Sequence, residues 1–248
     1  MQELFQKIFR YIPRETSIRL YGLSHIIYIV SIIAIIVTLC ILFHRKNKET
    51  KDRVINITAI FIISLYIFDF LVQPIWAGSL QISKLPFHLC TLVGCLIPFI
   101  TFNKKFKFLE KPVVIWAILA PLIFIFAPLN YINVPAEPYS YPIVQTFIYH
   151  GAEVFWGVFM LTSGRVKLNW KSIWQPIVGL FPAALWATIA NIVYGDLAPG
   201  ESFMFLITDI SAVAPQWMYI PALIIAACLG TAIVYLIYNL SIKTKKRH

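Results

Sequence analysis

The sequence predicts an all-α fold: a polytopic membrane helix bundle with seven transmembrane helices, formed by a single integral membrane domain, residues 1–248. Hydrophobic residues make up 59% of the chain and charged residues only 13%, and the mean hydropathy is +0.77. Soluble domains are roughly half apolar and a quarter charged. Seven apolar runs that carry few or no charges account for the difference.

Each apolar run is predicted to be a helix that crosses the membrane. A helix needs roughly 20 residues to cross the ~30 Å hydrocarbon core, and its backbone satisfies its own hydrogen bonds, as lipid requires. The alternating pattern of an outer-membrane barrel is absent. The third and fourth runs are short and need their flanking residues to reach this length. The predicted spans lie near residues 24–43, 54–73, 86–103, 112–129, 142–162, 172–194 and 217–240.

The segment before the first span, residues 1–20, is predicted to be an amphipathic helix on the membrane surface. Apolar residues recur there at helical spacing, at Leu4, Phe5, Ile8, Phe9 and Ile12, between basic residues. That pattern is typical of an interfacial helix. The segment is too polar for the apolar region of a cleaved signal peptide.

The distribution of Lys and Arg predicts the orientation. The loops after the first, third and fifth spans and the C-terminal tail are basic, whereas loops 130–141 and 195–216 contain no Lys or Arg. The loop after the second span contains Lys84 alone. Because basic loops stay in the cytoplasm, we expect the N-terminus outside and the C-terminus inside. These loops also explain the net charge of +10, so we expect no nucleic-acid binding.

The polar residues of the spans gather toward the predicted outer side. Ionisable groups are costly in hydrocarbon and mark functional sites. The sequence therefore predicts a pocket at the outer level, over which an apolar piece of the last outer loop, residues 203–207, could fold as a lid. The residues concerned are His25, Asp69, His88, Cys90, His150, Glu153, Asn191 and Tyr194.

The strongest local signal is the segment that opens the third span. Pro86 favours the first turn of a helix, which places His88 and Cys90 at the outer mouth of that span. A thiol is a nucleophile only as thiolate, and an imidazole or a helix N-terminus favours that form. On a regular helix, however, His88 and Cys90 point about 200° apart. Cys90, which would then share a face with Gly94, needs a base from another span; otherwise the pair is an interfacial histidine beside a buried cysteine.

His150 in the fifth span is the candidate base. Glu153 lies at i+3 on the same helix face and could orient the imidazole. The alternative is a buried pair that only joins two helices.

Four further residues are candidates for substrate binding. Asn191 and Tyr194 end the sixth span, where an amide and a phenol could donate hydrogen bonds to a carbonyl or an oxyanion. Tyr194 alone also fits an interfacial aromatic belt. His25 fits a belt or a site equally well, and Asp69 could simply reach interfacial water.

No metal site and no cofactor are predicted. The side chains of His25, His88, Cys90 and His150 suit zinc or copper, but their spacing matches no zinc signature such as HExxH or CxxC. The four cysteines are too few and too separated to indicate a disulfide framework.

Several of these segments resemble the YwaF family of bacterial integral membrane proteins, which is related to eukaryotic transmembrane ether-phospholipid acyltransferases. The similarity covers nearly the whole chain and rests on Tyr21–His25, Leu85–Cys90, Tyr141–Gly151, Asn191 and Tyr194.

The resemblance implies the fold, a place in the bacterial cytoplasmic membrane and a membrane phospholipid as partner. The eukaryotic relatives move acyl chains with a cysteine and a histidine, which implies Cys90 with His150 or His88 here. Asp69 departs from the family, in which a Glu is expected. The alternative function is a non-enzymatic transporter or a protein that binds a small ligand or a metal in the same polar pocket.

Overall fold

The computed structural model describes residues 19–77, 82–128, 138–194 and 218–245. Within these ranges the chain is all-helical, which confirms the predicted fold class, and three short 3₁₀ segments occur at Ile82–Lys84, Lys104–Leu109 and Trp170–Ser172. The predicted lid, and the predicted amphipathic helix apart from residues 19 and 20, lie outside the described residues. The α-helices are α1 (Leu23–His44), α2 (Lys48–Ala77), α3 (Leu89–Phe102), α4 (Glu110–Phe126), α5 (Tyr141–Thr162), α6 (Trp174–Tyr194) and α7 (Tyr219–Lys245).

Five of these helical segments are long and apolar enough to cross a membrane. Each of the seven helices coincides with one predicted span, but α3 has only 14 residues, and α5 is not among the five. A crossing by α3 and α5, and hence the number of seven crossings, stays a prediction. The five segments are Leu23–His44, Lys48–Val72, Lys104–Phe126, Trp170–Tyr194 and Pro221–Ile242.

Helix α5 carries several buried polar side chains, and neighbouring helices enclose it. Gln145, His150 and Glu153 are all buried although they are polar. The helix packs against α1, α2 and α4, and most of its residues are buried. Protein side chains thus surround its polar groups, which is how membrane proteins accommodate such groups.

Helices α4 and α5 form the centre of the bundle, and α4 also contacts α3, α6 and α7. The two central helices approach closely at Gly157. A Cβ at this position would lie 2.8 Å from Ile118 Cγ1 and 3.0 Å from the carbonyl oxygen of Val114. Only a glycine permits this approach, and small residues at such contacts are typical of membrane helix pairs.

Arg165, in the loop after α5, contacts both α2 and α3 at the end of the bundle where the basic loops lie. The Arg165 guanidinium lies 3.3 Å from Asp52 near the start of α2 and donates a hydrogen bond of 3.1 Å to the carbonyl of Thr101 near the end of α3. The loop after α5 is therefore fixed to α2 and α3 at this end.

Candidate functional site

Residues 85–88, which were predicted to begin the third span, form a turn that precedes helix α3. Helix α3 begins at Leu89, and His88 is its N-cap residue in an extended conformation, with φ −80° and ψ 146°. The prediction that Pro86 starts this helix was therefore wrong. Side chains of α6 hold the turn instead: Trp186 Nε1 donates a hydrogen bond of 2.9 Å to the Pro86 carbonyl. The Phe87 ring packs against Trp186, with the ring centroids 5.3 Å apart.

His88 precedes the helix, so regular helix geometry does not force its side chain to point away from Cys90. Cys90 occupies the first turn of α3, next to the positive end of the helix dipole.

Cys90 and Gly94 lie four residues apart in α3 and so share one face of it, and Gly94 lies against side chains of α5. A Cβ on Gly94 would overlap the Tyr149 hydroxyl oxygen and lie 2.9 Å from Glu153 Oε1. Both of these α5 side chains also interact electrostatically with the partly buried Cys90. The groups from another span that face Cys90 therefore include a phenol and a carboxyl group.

The Glu153 carboxyl group is fully buried, with 0% of the residue exposed. The Tyr149 hydroxyl is a polar neighbour of it. Yet neither the two Glu153 oxygens nor the Tyr149 hydroxyl has a hydrogen bond of normal geometry to any described residue. Buried polar groups without such partners are rare in folded proteins and call for a water, a ligand or a chemical role.

His150 is oriented by its own helix and by a ring from α4. The prediction that Glu153 orients this imidazole was wrong, because neither Glu153 oxygen bonds the ring. Its Nδ1 lies 2.7 Å from the Thr146 carbonyl oxygen, and its ring stacks on Phe124 with centroids 4.1 Å apart. A carbonyl only accepts hydrogen bonds, so Nδ1 carries the hydrogen. In the neutral ring, Nε2 therefore keeps its lone pair and can accept a proton.

Asp69 forms a buried ion pair with Lys84 and is not in contact with interfacial water. Lys84 Nζ lies 2.8 Å from Asp69 Oδ2, and the side chains are only 22% and 6% exposed. The Tyr66 hydroxyl donates a hydrogen bond of 2.9 Å to the Lys84 carbonyl. The Lys84 ammonium also lies close enough to His150 to interact with it electrostatically. The lone basic residue of this loop is thus part of the site region.

Asn191 and Tyr194 lie beside the turn that precedes α3. Asn191 is buried, with 7% exposed, and the neighbouring Ala187 and Ala190 pack on Phe87. The Tyr194 ring centroid lies 5.5 Å from that of Phe87. The structure therefore joins the end of α6 to the segment that carries His88.

His25 uses both ring nitrogens within the chain. Its Nδ1 accepts a hydrogen bond of 3.0 Å from the Tyr21 N–H, and its Nε2 lies 2.8 Å from the Ile125 carbonyl oxygen, to which it donates. Tyr21 has a positive φ of 57°, which aims its N–H at the ring, and His25 is fully buried. This histidine joins the start of α1 to the end of α4, and neither nitrogen is left over for a substrate.

Sequence reasoning missed two residues of this region, Tyr149 and Lys84. Tyr149 lies at i−4 from Glu153, a spacing that places both on one helix face, so this signal was available. The partner of Lys84 depends on the packing of the loop against α2, which no local pattern shows.

The described part of the chain contains no group of three or more His, Cys, Asp or Glu side chains placed to hold a metal ion. Cys40, Cys90, Cys95 and Cys228 are free thiols.

Comparison with known proteins gives one match. A family model described as the TMEM164 family matches residues 20–238, nearly the whole chain. Neither a curated protein nor a solved structure matches.

Proposed function

The chain belongs to the TMEM164 family and is a multi-pass membrane protein, and on this premise we propose that it is an intramembrane acyltransferase or acyl hydrolase acting on membrane phospholipid. The proposal includes its affiliation with the YwaF proteins and their acyltransferase relatives. It also includes seven crossings, an outer N-terminus, a cytoplasmic C-terminus, the bacterial cytoplasmic membrane as location and a site near the outer leaflet.

The observation that carries the proposal is the position of Cys90. Its thiol lies in the first turn of α3 and faces Tyr149 and Glu153, two buried side chains that lie beside each other. The next residue of α5, His150, presents a lone pair on Nε2. A helix N-terminus and a neighbouring imidazole are among the features that activate a cysteine, and the proposal assigns the imidazole role to His150.

In the proposed reaction, His150 Nε2 accepts the proton of the Cys90 thiol. The thiolate sulfur then attacks the ester carbonyl carbon of a phospholipid, with Asn191 and Tyr194 holding the oxyanion or the head group. The C–O ester bond breaks, the lysophospholipid oxygen takes the proton from His150, and an acyl thioester remains on Cys90. A second lysophospholipid hydroxyl, or water, attacks the thioester and restores the thiol. His88, adjacent to the start of α3, is the second candidate base.

A direct test measures the transfer of mass-tagged acyl chains between phospholipids in membranes that contain each variant. Cys90→Ala and His150→Ala are each expected to abolish turnover at normal expression, because one removes the nucleophile and the other its base. Cys40→Ala and Cys228→Ala are the matched controls and are expected to retain turnover. Full acyl transfer by Cys90→Ala would show that the thiol is structural.

One observation favours a second candidate function, a transporter or a protein that binds a small ligand. The carboxyl group of Glu153 is fully buried, with the Tyr149 hydroxyl as its polar neighbour, and ionisable groups inside membrane proteins often mark the paths of ions or solutes. Mass spectrometry of molecules that co-purify with the protein separates the two candidates. A bound solute that is lost in Glu153→Gln, together with no acyl transfer by the wild type, would support the second.

A further inference from the structure

Two side chains on one turn of α2 bind Lys84, the residue just before the turn that leads to His88 and Cys90. Tyr66 and Asp69 are three residues apart and so lie on one face of the helix. The Tyr66 hydroxyl bonds the Lys84 carbonyl at 2.9 Å, and Asp69 Oδ2 lies 2.8 Å from the Lys84 ammonium. Backbone and side chain of the same lysine are therefore both fixed to α2. These three residues are called the Lys84 clamp below.

The clamp is largely shielded from water: Asp69 is buried, and Lys84 and Tyr66 are partly buried. The side chains of Lys84 and Asp69 are 22% and 6% exposed. Removal of one partner from such a pair is strongly destabilising, because it leaves the other charge buried without compensation. The clamp also extends to α5: the Tyr141 hydroxyl lies beside Asp69, and the Lys84 ammonium lies near His150.

The clamp lies next to the turn before α3. Among the described residues of the site, this turn is the part that is not in a regular helix. The turn after Lys84 leads to His88 and Cys90 at the start of α3. Its other side is held by α6, through the bond from Trp186 to the Pro86 carbonyl. The direction in which α3 starts, and with it the position of Cys90 relative to α5, depends on these two attachments.

We propose that Lys84, Asp69 and Tyr66 are positioning residues of the Cys90 site, a role that rests on the proposed acyl-transfer function. The clamp holds the turn against α2 so that the Cys90 thiol faces Tyr149 and Glu153 of α5. None of the three residues takes part in bond making; each acts through the position of the thiol.

The test measures the reactivity of Cys90 separately from stability and turnover. The variants are Lys84→Met, Asp69→Asn, Tyr66→Phe and the exchanged pair, Asp69→Lys with Lys84→Asp. For each, mass spectrometry gives the rate of alkylation of Cys90 by iodoacetamide in the folded, detergent-solubilised protein. A thermal melt and the kcat and KM of acyl transfer are measured on the same samples.

Lys84→Met and Asp69→Asn are expected to raise the alkylation rate of Cys90 about tenfold, because the segment opens locally. They are also expected to lower kcat about 10²-fold with little change in KM, because the thiol is misplaced. The exchanged pair is expected to move both rates back toward wild type. Arg165→Met is the matched control: it removes the ion pair with Asp52 near the start of α2 and the bond to the Thr101 carbonyl near the end of α3. Both lie far along these helices from the clamp and from Cys90, so the reactivity of Cys90 is expected to stay unchanged.

Tyr66→Phe is the variant that is expected to fold even if the others do not, because it removes one hydroxyl group and keeps the ion pair. A several-fold rise in Cys90 alkylation in this variant supports the clamp. Wild-type alkylation rates in Tyr66→Phe, and in Lys84→Met where it folds, overturn it whatever the melting temperatures. Failure of the proposed function gives a different result, which is full acyl transfer by Cys90→Ala. In that case the alkylation rates still show whether the clamp fixes the position of Cys90.

Discussion

Replacing Gly94 with alanine adds one methyl group where Tyr149 of α5 lies against α3. The new Cβ would overlap the Tyr149 hydroxyl oxygen and lie 2.7 Å from its Cζ and 2.9 Å from Glu153 Oε1. Tyr149 is 6% exposed and Glu153 is fully buried, so neither side chain has open space to move into. We expect Gly94→Ala to destabilise the protein by forcing α3 and α5 apart.

The magnitude follows from two opposing effects. An extra methylene or methyl group in a well-packed core costs about 1–3 kcal/mol, and the overlap with a ring held on both sides indicates the upper end of that range. Alanine is favoured over glycine inside a helix by about 1 kcal/mol. The net loss is about 2 kcal/mol, which corresponds to a fall in Tm of roughly 4–8 °C for a chain of this size.

The assay is thermal unfolding in detergent, with Gly230→Ala as the matched control. A Cβ on Gly230 meets only the methyl groups of Leu119, at 3.1 and 3.2 Å, and these can turn aside. The control is therefore expected to melt within about 2 °C of wild type, since the gain in helix propensity offsets the small contact.

A double variant shows whether Tyr149 is the cause. In a Tyr149→Phe background the overlapped oxygen is gone, although the ring carbon at 2.7 Å remains, so Gly94→Ala should cost about half as much there. A wild-type Tm for Gly94→Ala, or an equal loss in both backgrounds, would refute the proposed contact.

Three further predictions follow from the packing. His25→Ala removes the bonds that join α1 to the Ile125 carbonyl and should cost about 2–3 kcal/mol in a denaturant titration; a cost near zero would mean that the two helices are held by other contacts. Arg165→Met removes a partly exposed ion pair with Asp52 and a part-buried hydrogen bond to the Thr101 carbonyl and should cost about 1–2 kcal/mol. A loss above about 3 kcal/mol in the same titration would contradict the prediction that solvent weakens these interactions. In intact cells an impermeant maleimide should label Tyr139→Cys and not Lys167→Cys, and the reverse pattern would invert the proposed orientation.

The positions of the helices could be predicted from the sequence because lipid imposes a simple requirement on each of them. A run near residues 217–240 corresponds to the helix Tyr219–Lys245, and a run near 142–162 to Tyr141–Thr162. Local composition decides these ranges. The shared face of Cys90 and Gly94 was predictable for the same reason, since helical spacing alone determines it.

The start of α3 could not be predicted in this way. Pro86 locally favours a helical first turn, but contacts with Trp186, about 100 residues later in the chain, hold it in a turn instead. The partner of Lys84 and the enclosure of Asp69 likewise depend on the packing of a loop on α2. Such long-range contacts leave no periodic pattern in the sequence, so the connections of these residues could not be predicted from it, and their role as a site stays a prediction.

The enclosure of α5 by its neighbours has a consequence for how the protein enters the membrane. Helix α5 carries Glu153 near its middle together with other polar groups, and Asp, Lys or Arg at a helix centre costs about 2.5–3.5 kcal/mol on insertion scales, so a carboxyl group there is unfavourable too. Released alone from the translocon, α5 would partition poorly into lipid. Helix α4 precedes it, is apolar and forms its main contact, so the two are expected to leave the translocon together as a helical hairpin. Biogenesis and the polar site are therefore linked through one pair of helices.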